Sequence, residues 1–569
     1  MNSTRLFLLF AWLMVATLLW MEWGKEQAAP VTPAVATTPA GTVAPTGSAG
    51  VPSANIPTAT GTVPAAPGST PAPVAASATP EAAPAVTVET DVLRVTMTGG
   101  ELRQADLLRY PSEAAKDSAP VRLLSPEGTH YFVATTGWHS DAGPAPETTG
   151  FVLAGANAGT AFRLAPGQKQ LVVPFVWNGA NGVSIRREFV FERGSYVVQV
   201  RDQLRNAGSA PWQGYVYRGL TRAPRPVAGS GPMSPESYSF QGPAWWDDKY
   251  ERCKYEDIGD DCKLGREVKG GWIGMLQHHF FGSWIPQKDQ AALFDVSQAG
   301  GHYTIDARGP SFNVAAGGSA DSSARLWIGP KLVNQMEAQD IPGLKRAVDF
   351  SKFDTMATLA EALFWVLEKL HALVKNWGWA IVGLVVLIKI LMFPLSTAQY
   401  KSMAKMRKFQ PRIKQLQERY GEDKQKLQMA MMELYKKEKI NPVGGCLPIL
   451  IQMPVFLALY WMLSESVELR HAPWIGWITD LTARDPYFVL PVINIAVMWF
   501  TQKLTPMAPG MDPMQQKMMQ YMPLVFGVLF AFMPAGLVLY WITNGTLGLL
   551  QQAWMTRRYA EQPAKLLAD

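Results

Sequence analysis

The stretch at residues 379–395, WAIVGLVVLIKILMFPL, decides the fold class. It is apolar at every position except Lys389. A run of this length and composition is typical of a transmembrane helix, because about 20 apolar residues are needed to cross the roughly 30 Å hydrocarbon core of a bilayer. The whole 569-residue chain is 48% hydrophobic and only 17% charged, which also favours a membrane protein.

Further apolar runs lie on both sides of this stretch. The carboxy-terminal ones are residues 446–463, 487–500, 518–532 and 536–555. The last two form one long run that Pro534-Ala535-Gly536 interrupts. The run at 518–532 corresponds to about 22 Å of helix, so a span there should thin the bilayer locally. With an apolar segment near the amino terminus, the sequence predicts six transmembrane helices.

The distribution of charge predicts how these helices are oriented. Residues 399–445 contain twelve lysines and arginines against five acids, so the positive-inside rule places this loop in the cytoplasm. The tail at 557–569 includes Arg557, Arg558 and Lys565 and is predicted to be cytoplasmic as well. An even number of crossings must then separate loop and tail, which is why the run after residue 518 is expected to cross twice.

The amino-terminal part predicts an anchor followed by a tether. Residues 1–25 contain an apolar run after Arg5 and no small-residue cleavage site, which favours an uncleaved transmembrane anchor with a cytoplasmic amino end. Residues 26–85 are almost entirely Ala, Pro, Thr, Val, Gly and Ser. Because such a composition buries too little apolar surface to fold, this segment is predicted to be a disordered tether.

Residues 86–345 predict a large antiparallel β-sandwich. Stretches such as REFVFE at 187–192 alternate apolar and polar residues, and Gly, Pro, Asn and Asp separate them. The domain follows an anchor whose amino end is inside, so it is expected in the periplasm. Cys253 and Cys262 lie within it, and in that compartment they form either a disulfide or two free thiols.

Two segments predict amphipathic helices. Apolar residues spaced three and four apart at 350–376 predict a helix along the membrane interface, with packing on the β domain as the alternative. The same spacing at 399–440 predicts an antiparallel helical hairpin in the cytoplasm. Its basic surface suits anionic lipid headgroups, ribosomal RNA or an acidic partner, and a solvated loop that only sets the topology is the alternative.

Lys389 is the candidate functional cation. A lysine at mid-bilayer costs roughly 2.5 to 3.5 kcal/mol on insertion scales, so it either has a use or extends to the headgroups. Polar side chains within the other spans would be unsatisfied in lipid, and although interhelical hydrogen bonds can satisfy each one singly, together with Lys389 they favour a hydrated groove. The predicted groove lining is Gln452, Asn494, Thr543, Asn544 and Thr546.

Motifs of catalysis and cofactor binding are missing from the sequence. There is no Walker-type glycine loop, no His-Glu-x-x-His and no Gly-x-Ser-x-Gly. Three cysteines also exclude a zinc ribbon. The sequence therefore predicts no enzyme, no metal, no cofactor and no use of a nucleotide.

Several segments carry a family resemblance. They are NPVGGCLPILIQMPVFLALY at 441–460, SVELRHAP at 466–473, DPMQQK at 512–517 and GLVLY at 536–540. In this order they resemble the YidC membrane protein insertases of Gram-negative bacteria. In the β domain, GGWIGMLQ at 270–277 and WIP at 284–286 are similar to the same family.

The resemblance implies an insertase and chaperone of the bacterial inner membrane. Its core, residues 377–556, would hold five helices around a hydrophilic groove that is open to cytoplasm and lipid and closed towards the periplasm. Lys389 occupies the position of a family cation that is usually arginine, and it lacks the fork of a guanidinium. Client contacts would lie at Pro448 and Phe456 on one side and at Tyr540 and Trp541 on the other.

The implied partners are nascent membrane proteins and the lipid bilayer. The Sec translocon is a further expected partner, although the protein could also work alone. The ribosome or the signal recognition particle machinery would meet the cytoplasmic hairpin and loops.

Two other hypotheses compete with an insertase. The β domain also resembles sugar-binding sandwiches of the mutarotase type, which suggests a periplasmic carbohydrate-binding protein, but His130, His139 and His302 are scattered along its sequence rather than clustered. A solute channel or transporter is suggested by Lys389 alone, without a second intramembrane charge or an internal repeat. Sugar binding or solute flux by the purified protein would discriminate these hypotheses.

Overall fold

The computed structural model of the chain describes residues 84–560 except 116, 142, 148–149, 156–159, 225–238, 260–261, 263, 352, 421–422, 438–446 and 505–512. The predicted anchor at 1–25, the tether up to residue 83 and the tail from residue 561 lie outside the described residues. The described part contains a β domain followed by a helical region, as the sequence predicts.

The β domain consists of short and medium strands, which are numbered in the order of the chain. They are β1 Val86–Glu89, β2 Leu93–Thr98, β3 Glu101–Pro111, β4 Pro120–Leu124, β5 Phe132–His139, β6 Val152–Leu153, β7 Ala161–Arg163, β8 Gln170–Asn178, β9 Val183–Glu192, β10 Val197–Asn206, β11 Trp212–Arg222, β12 Gly242–Trp246, β13 Tyr250–Arg252, β14 Arg266–Lys269, β15 Trp272–Leu276, β16 Phe280–Pro286, β17 Ala291–Ala299, β18 His302–Val314 and β19 Ser319–Pro330.

Within the described residues these strands form two sheets. One has the order β14-β17-β18-β11-β5-β3-β2-β1-β7, with β4 beside β3, and the other has the order β13-β12-β15-β16-β19-β10-β9-β8-β6. The predicted antiparallel β-sandwich is therefore confirmed, with one exception. β7 pairs with β1 in parallel, because the chain reaches it by a crossover from β6 of the other sheet and not by a hairpin.

The core of the sandwich is built from large apolar side chains on the inner faces of both sheets. Trp138, Trp272, Trp284 and Trp327 are completely buried. Burial alternates along the strands, as in β10, where every second residue from Val198 to Asn206 is buried. This period of two is the pattern that a strand with one inner and one outer face requires.

A fully buried ion pair on two neighbouring strands lies within this core. Arg187 on β9 faces Asp202 on β10, and its Nε and Nη2 donate to the two carboxylate oxygens at 2.7 and 2.8 Å. The indole N–H of Trp138 donates to the same carboxylate at 2.8 Å, and Arg187 also donates to the carbonyl of Thr136 at 3.0 Å. The pair thus links the two sheets of the sandwich.

The disulfide joins two short segments of the β domain. Cys253 directly follows β13, and Cys262 lies nine residues later in the connection to β14, with 6.0 Å between the two Cα atoms. Of the two alternatives that the sequence leaves open, the structure therefore contains the bonded one.

The described chain after the β domain is mainly helical. They are α1 Val333–Glu337, α2 Asp354–Val374, α3 Trp377–Leu391, α4 Phe393–Tyr420, α5 Lys424–Lys437, α6 Leu447–Glu465, α7 Val489–Leu504, α8 Pro513–Phe530 and α9 Ala535–Ala560. None of the helices in the described part of the chain is long and apolar enough to cross a membrane.

Helix α2 packs against α3 and α6. Its buried side chains are Ala357, Ala360, Phe364 and Leu367. The larger apolar side chains of the predicted helix, Leu359, Leu363, Val366 and Leu370, are partly buried against the same core, whereas Leu373 is 79% exposed. The small side chains of the two alanines allow the close approach of neighbouring helices, a feature that a scan for large apolar residues misses.

Helices α4 and α5 form a hairpin. Phe409 and Ile413 of α4 are buried against Met431, Leu434 and Tyr435 of α5. Asp423 begins the second helix by accepting the backbone N–H of Lys426 at 3.1 Å. This is the usual way in which an aspartate satisfies a free N–H at a helix start.

Candidate functional site

The candidate site is centred on α9, which packs against α3, α4, α6 and α7. Its amino-terminal end is fixed by the loop between α6 and α7. The backbone N–H of Ala535 donates to the carbonyl of Ala483 at 2.7 Å, and that of Gly536 donates to Leu481 at 2.8 Å. These bonds satisfy two of the N–H groups that every helix leaves unpaired at its start.

Burial changes sharply along α9. Every residue from Ala535 to Tyr540 is buried, whereas each of the nine residues from Trp541 to Leu549 is partly accessible. A helix packed on one side would instead alternate between buried and exposed residues every three or four positions. The first six residues of α9 are therefore tightly packed, and the nine that follow are partly accessible on every face of the helix.

Two of the predicted polar residues meet at this partly accessible stretch of α9. Gln452 of α6 donates its side-chain N–H to the side-chain oxygen of Asn544 at 3.2 Å. Thr543 donates to the carbonyl of Leu539 in its own helix at 2.8 Å, so its hydroxyl needs no partner on another helix. Thr546 lies in the same partly accessible stretch. Gln452 of α6 thus meets the partly accessible stretch of α9 that carries Thr543, Asn544 and Thr546.

Lys389 lies in the last turn of α3 and is partly buried. A Cβ atom added to Gly548 of α9 would lie 3.5 Å from the lysine Nζ. The ammonium group of Lys389 therefore lies against α9 at Gly548, at van der Waals distance from the position of a Cβ atom there. Lys389 is thus brought to the same helix as the Gln452–Asn544 pair.

Gly548 is a residue of this site that the sequence did not predict. Gly545 precedes it by one turn, and a Cβ atom there would lie 2.8 Å from a methyl carbon of Val497 on α7. Two glycines three residues apart share a helix face and permit close packing of neighbouring helices. The GTLG sequence at 545–548 was the signal that could have revealed this position.

Asn494 is placed differently from the other predicted groove residues. It is only 1% exposed on α7, and its side-chain N–H contacts the sulfur of Met498 in the same helix at 3.8 Å. Its side-chain oxygen is buried without a hydrogen-bond partner. Asn494 therefore belongs to the packed interior of the helical region, and it is not part of the accessible polar set on α6 and α9.

The predicted client-contact residues form an aromatic cluster. The ring of Phe456 on α6 lies 4.9 Å from that of Trp541 and 6.4 Å from that of Tyr540, measured between centroids. Phe456 and Trp541 are partly accessible, whereas Tyr540 is 3% exposed. Pro448, the remaining predicted contact, lies in the first turn of α6. Phe456 and Trp541 are thus accessible to a ligand, whereas Tyr540 is buried behind them and packs against Phe456.

The outer faces of the helices are apolar and exposed. Such residues on α3, α7, α8 and α9 are Trp379, Val386, Leu387, Ile390, Leu391, Val492, Ile493, Phe500, Leu524, Val528 and Leu550. Apolar patches of this extent usually mark contact with a membrane or another protein. Among the described residues, no group of three or more His, Cys, Asp or Glu side chains is arranged to hold a metal ion.

Comparisons with known proteins cover both parts of the chain. The family described as 60Kd inner membrane protein matches residues 369–562, and the family described as YidC periplasmic domain matches residues 85–366. The membrane protein insertase YidC of Stenotrophomonas maltophilia is 58% identical over 567 residues, covering 99% of this chain and 98% of that protein. The YidC insertase of Xanthomonas campestris pv. campestris is 55% identical over 573 residues, covering 100% and 99%.

A solved structure of a related protein also matches. It is the crystal structure of an active YidC insertase with its first transmembrane domain resolved. It is 19% identical to this chain, covers 83% of this chain and 94% of its own, and has a TM-score of 0.35.

Proposed function

This chain belongs to the YidC family of membrane protein insertases, and from this premise we propose that it inserts client proteins through an open polar groove formed by α3, α6 and α9. Family membership makes it a non-enzymatic insertase of the inner membrane with a periplasmic β domain. The groove, its charge and its client contacts are the parts that we propose for this chain.

The change of burial along α9 is the observation that carries this proposal. Residues 535–540 are tightly packed, and residues 541–549 are partly accessible. A groove that is closed at one end and open at the other has this pattern. The closed end lies next to the α6–α7 loop, which we assign to the periplasmic side, so a client would enter from the cytoplasm and the lipid.

Lys389 gives the groove its charge. Its ammonium group lies beside Gly548, in the partly accessible stretch of α9 that would line the groove. In a partly dehydrated site a single positive charge attracts acidic groups more strongly than in bulk water. Lys389 would hold acidic hydrophilic segments of a client while Gln452 and Asn544 exchange hydrogen bonds with its backbone.

The apolar part of the client would move along the aromatic cluster. Phe456 and Trp541 are accessible and flank the groove on α6 and α9. Transfer of an apolar segment from water to lipid releases free energy in proportion to the area buried, about 25 cal/mol per Å². The insertion step therefore needs no nucleotide bound to this chain.

The membrane arrangement is also part of the proposal. We assign six transmembrane helices, with the anchor at 1–25 as the first and with both termini in the cytoplasm. The exposed apolar side chains of α3, α7, α8 and α9 support contact with lipid. The 15 residues of α3 extend only about 22 Å, which would thin the bilayer beside the groove.

Further partners would act from the cytoplasm or within the membrane. The basic hairpin α4–α5 suits the ribosome, the signal recognition particle machinery or anionic lipid. The Sec translocon remains a proposed partner for clients that this chain does not insert alone.

Site-specific photocrosslinking tests the groove. We expect a photoreactive phenylalanine analogue at Trp541 or Phe456 to form adducts with a ribosome-bound nascent single-span protein. Leu550 is the matched control, because it lies on the same helix, is apolar and is 60% exposed on the outer face. Adducts of equal yield at positions 541 and 550 would contradict a client path through the groove.

A further inference from the structure

The segment at 464–470, called here the α6 latch, ends α6 and begins the loop towards α7. The first of its contacts with the β domain is made by two histidines. The Nε2 atoms of His278 and His279 lie 2.8 and 3.2 Å from the carbonyl oxygen of Ser464, and the two imidazole rings are stacked with centroids 3.7 Å apart. Both rings therefore meet the last turn of α6 at one main-chain oxygen.

A buried ion pair makes the second contact. The Lys331 Nζ lies 3.8 Å from a carboxylate oxygen of Glu465, and the two side chains are 0% and 4% exposed. Ser239 donates its hydroxyl to the same carboxylate at 3.1 Å. Desolvation raises the pKa of Glu465 and lowers the pKa of Lys331, and the attraction between the two groups opposes both shifts. Burial thus penalises both charges, and each depends on the other for compensation.

Two further residues of the α6 latch contact the β domain and the segment that follows it. Glu468 lies close to the backbone of Val333 at the start of α1. Arg470 donates to the carbonyls of Pro111 and Ser112 at 2.7 and 3.0 Å and lies over the ring of Phe280, 5.5 Å from its centroid.

Apolar burial completes the junction. Val467 and Leu469, which alternate with the polar residues of the α6 latch, are each 1% exposed. The apolar residues of the α6 latch are therefore buried beside its polar contacts and add to the free energy of docking. The SVELRHAP motif at 466–473, to which the insertion mechanism gives no role, lies largely within it.

We propose that the β domain is a positioning element of the insertase, which holds the α6 latch through Lys331, His278 and His279 and thereby fixes the wall of the groove that α6 forms. Helix α6 carries Gln452 and Phe456, so a movement of its latch end would change the spacing between α6 and α9. The effect on helix position does not depend on the proposed groove, whereas the effect on insertion does.

The Lys331–Glu465 pair is the most sensitive point of the junction. Removal of one partner leaves the other charge buried and uncompensated, which strongly disfavours the docked state. Replacement of both by apolar residues of similar volume removes both charges and is often tolerated. Lys331→Met should therefore release the α6 latch, and Lys331→Met/Glu465→Met should restore it.

The test measures helix position and insertion on the same full-length protein in lipid nanodiscs. Spin labels at Leu457→Cys on α6 and Leu550→Cys on α9, in a Cys446→Ser background, report the distance between the two helices. Both labelled positions are exposed, at 41% and 60%. Lys331→Met should broaden or shift this distance distribution and reduce insertion of a single-span client by about tenfold, a usual size for coupling between sites.

Matched variants make the outcome decisive. Lys254→Met removes an exposed lysine of the β domain that pairs with Glu256, and both readouts should stay unchanged. The double variant should return both readouts to the parent values. If Lys331→Met does not accumulate, Arg470→Gln removes a more accessible contact of the α6 latch and should shift the distance in the same way.

Unchanged distances in Lys331→Met, or in Arg470→Gln in its place, overturn the proposal. Changed distances that the double variant does not restore also overturn it, because the effect would then not come from the unpaired charge. Changed and restored distances with unchanged insertion support the positioning role and contradict the groove as the path of the client.

Discussion

Charge reversal at Lys389 is expected to abolish insertion of clients whose translocated segments are acidic. If one attraction of about 1.4 kcal/mol is lost in Lys389→Ala and replaced by an equal repulsion in Lys389→Glu, insertion falls about tenfold and about a hundredfold, respectively. The ammonium group lies beside the partly accessible stretch of α9 at residues 541–549. Partial dehydration there keeps its attraction to an acidic group stronger than in bulk water. Insertion yields of small single-span proteins in cells depleted of the native protein measure the effect.

The client provides the internal control for this experiment. For a client whose translocated segment is neutral, Lys389→Ala and Lys389→Glu should give similar yields, because no acidic group is present to be attracted or repelled. Lys389→Arg keeps the charge and should retain most of the activity with both clients. Equal defects of the alanine and glutamate variants with the acidic client would refute a role for the charge.

The largest effect on stability is expected at the buried pair of the β-sandwich. Arg187→Met leaves Asp202 buried without its counter-ion, which costs about 3 to 5 kcal/mol of unfolding free energy. Both side chains are completely inaccessible, so water cannot replace the lost partner. Hydrogen exchange of the β9 and β10 amides in the full-length protein reports this free energy for the β domain itself.

Arg186 provides the matched control on the same strand. Its side chain points outward and pairs with Glu188 at 2.9 Å in an exposed position. Arg186→Met should cost less than about 1 kcal/mol, as expected for a surface ion pair. If both variants lose the same free energy, burial is not what makes the Arg187–Asp202 pair important.

The sequence predicts those parts of the fold that depend on local periodicity. Alternation along β10 identifies a strand with one buried face, and the spacing of apolar residues identifies α2 and the α4–α5 hairpin. Strand partners are not encoded in this way. The parallel pairing of β7 with β1 depends on where the crossover from β6 ends, and neither strand contains a signal for it.

The candidate site was predicted unevenly for the same reason. Lys389 stands out because a charge in an apolar run is costly, and Gln452 and Asn544 stand out as polar residues in spans. Exposure could not be predicted: Asn494 and Tyr540 are buried by helices that are distant in sequence. The contacts of the α6 latch join residues up to 359 positions apart, so its motif could be recognised but its role could not.

The packed first six residues of α9 have a consequence for the energy balance of the cell. Main-chain hydrogen bonds to Leu481 and Ala483 hold this end in place, and its side chains from Ala535 to Tyr540 exclude water. A groove that ends at these packed side chains would offer protons and ions no continuous route across the bilayer. We therefore expect the proposed groove to stay accessible to clients without leakage of protons across the bilayer, so that the proton-motive force is preserved.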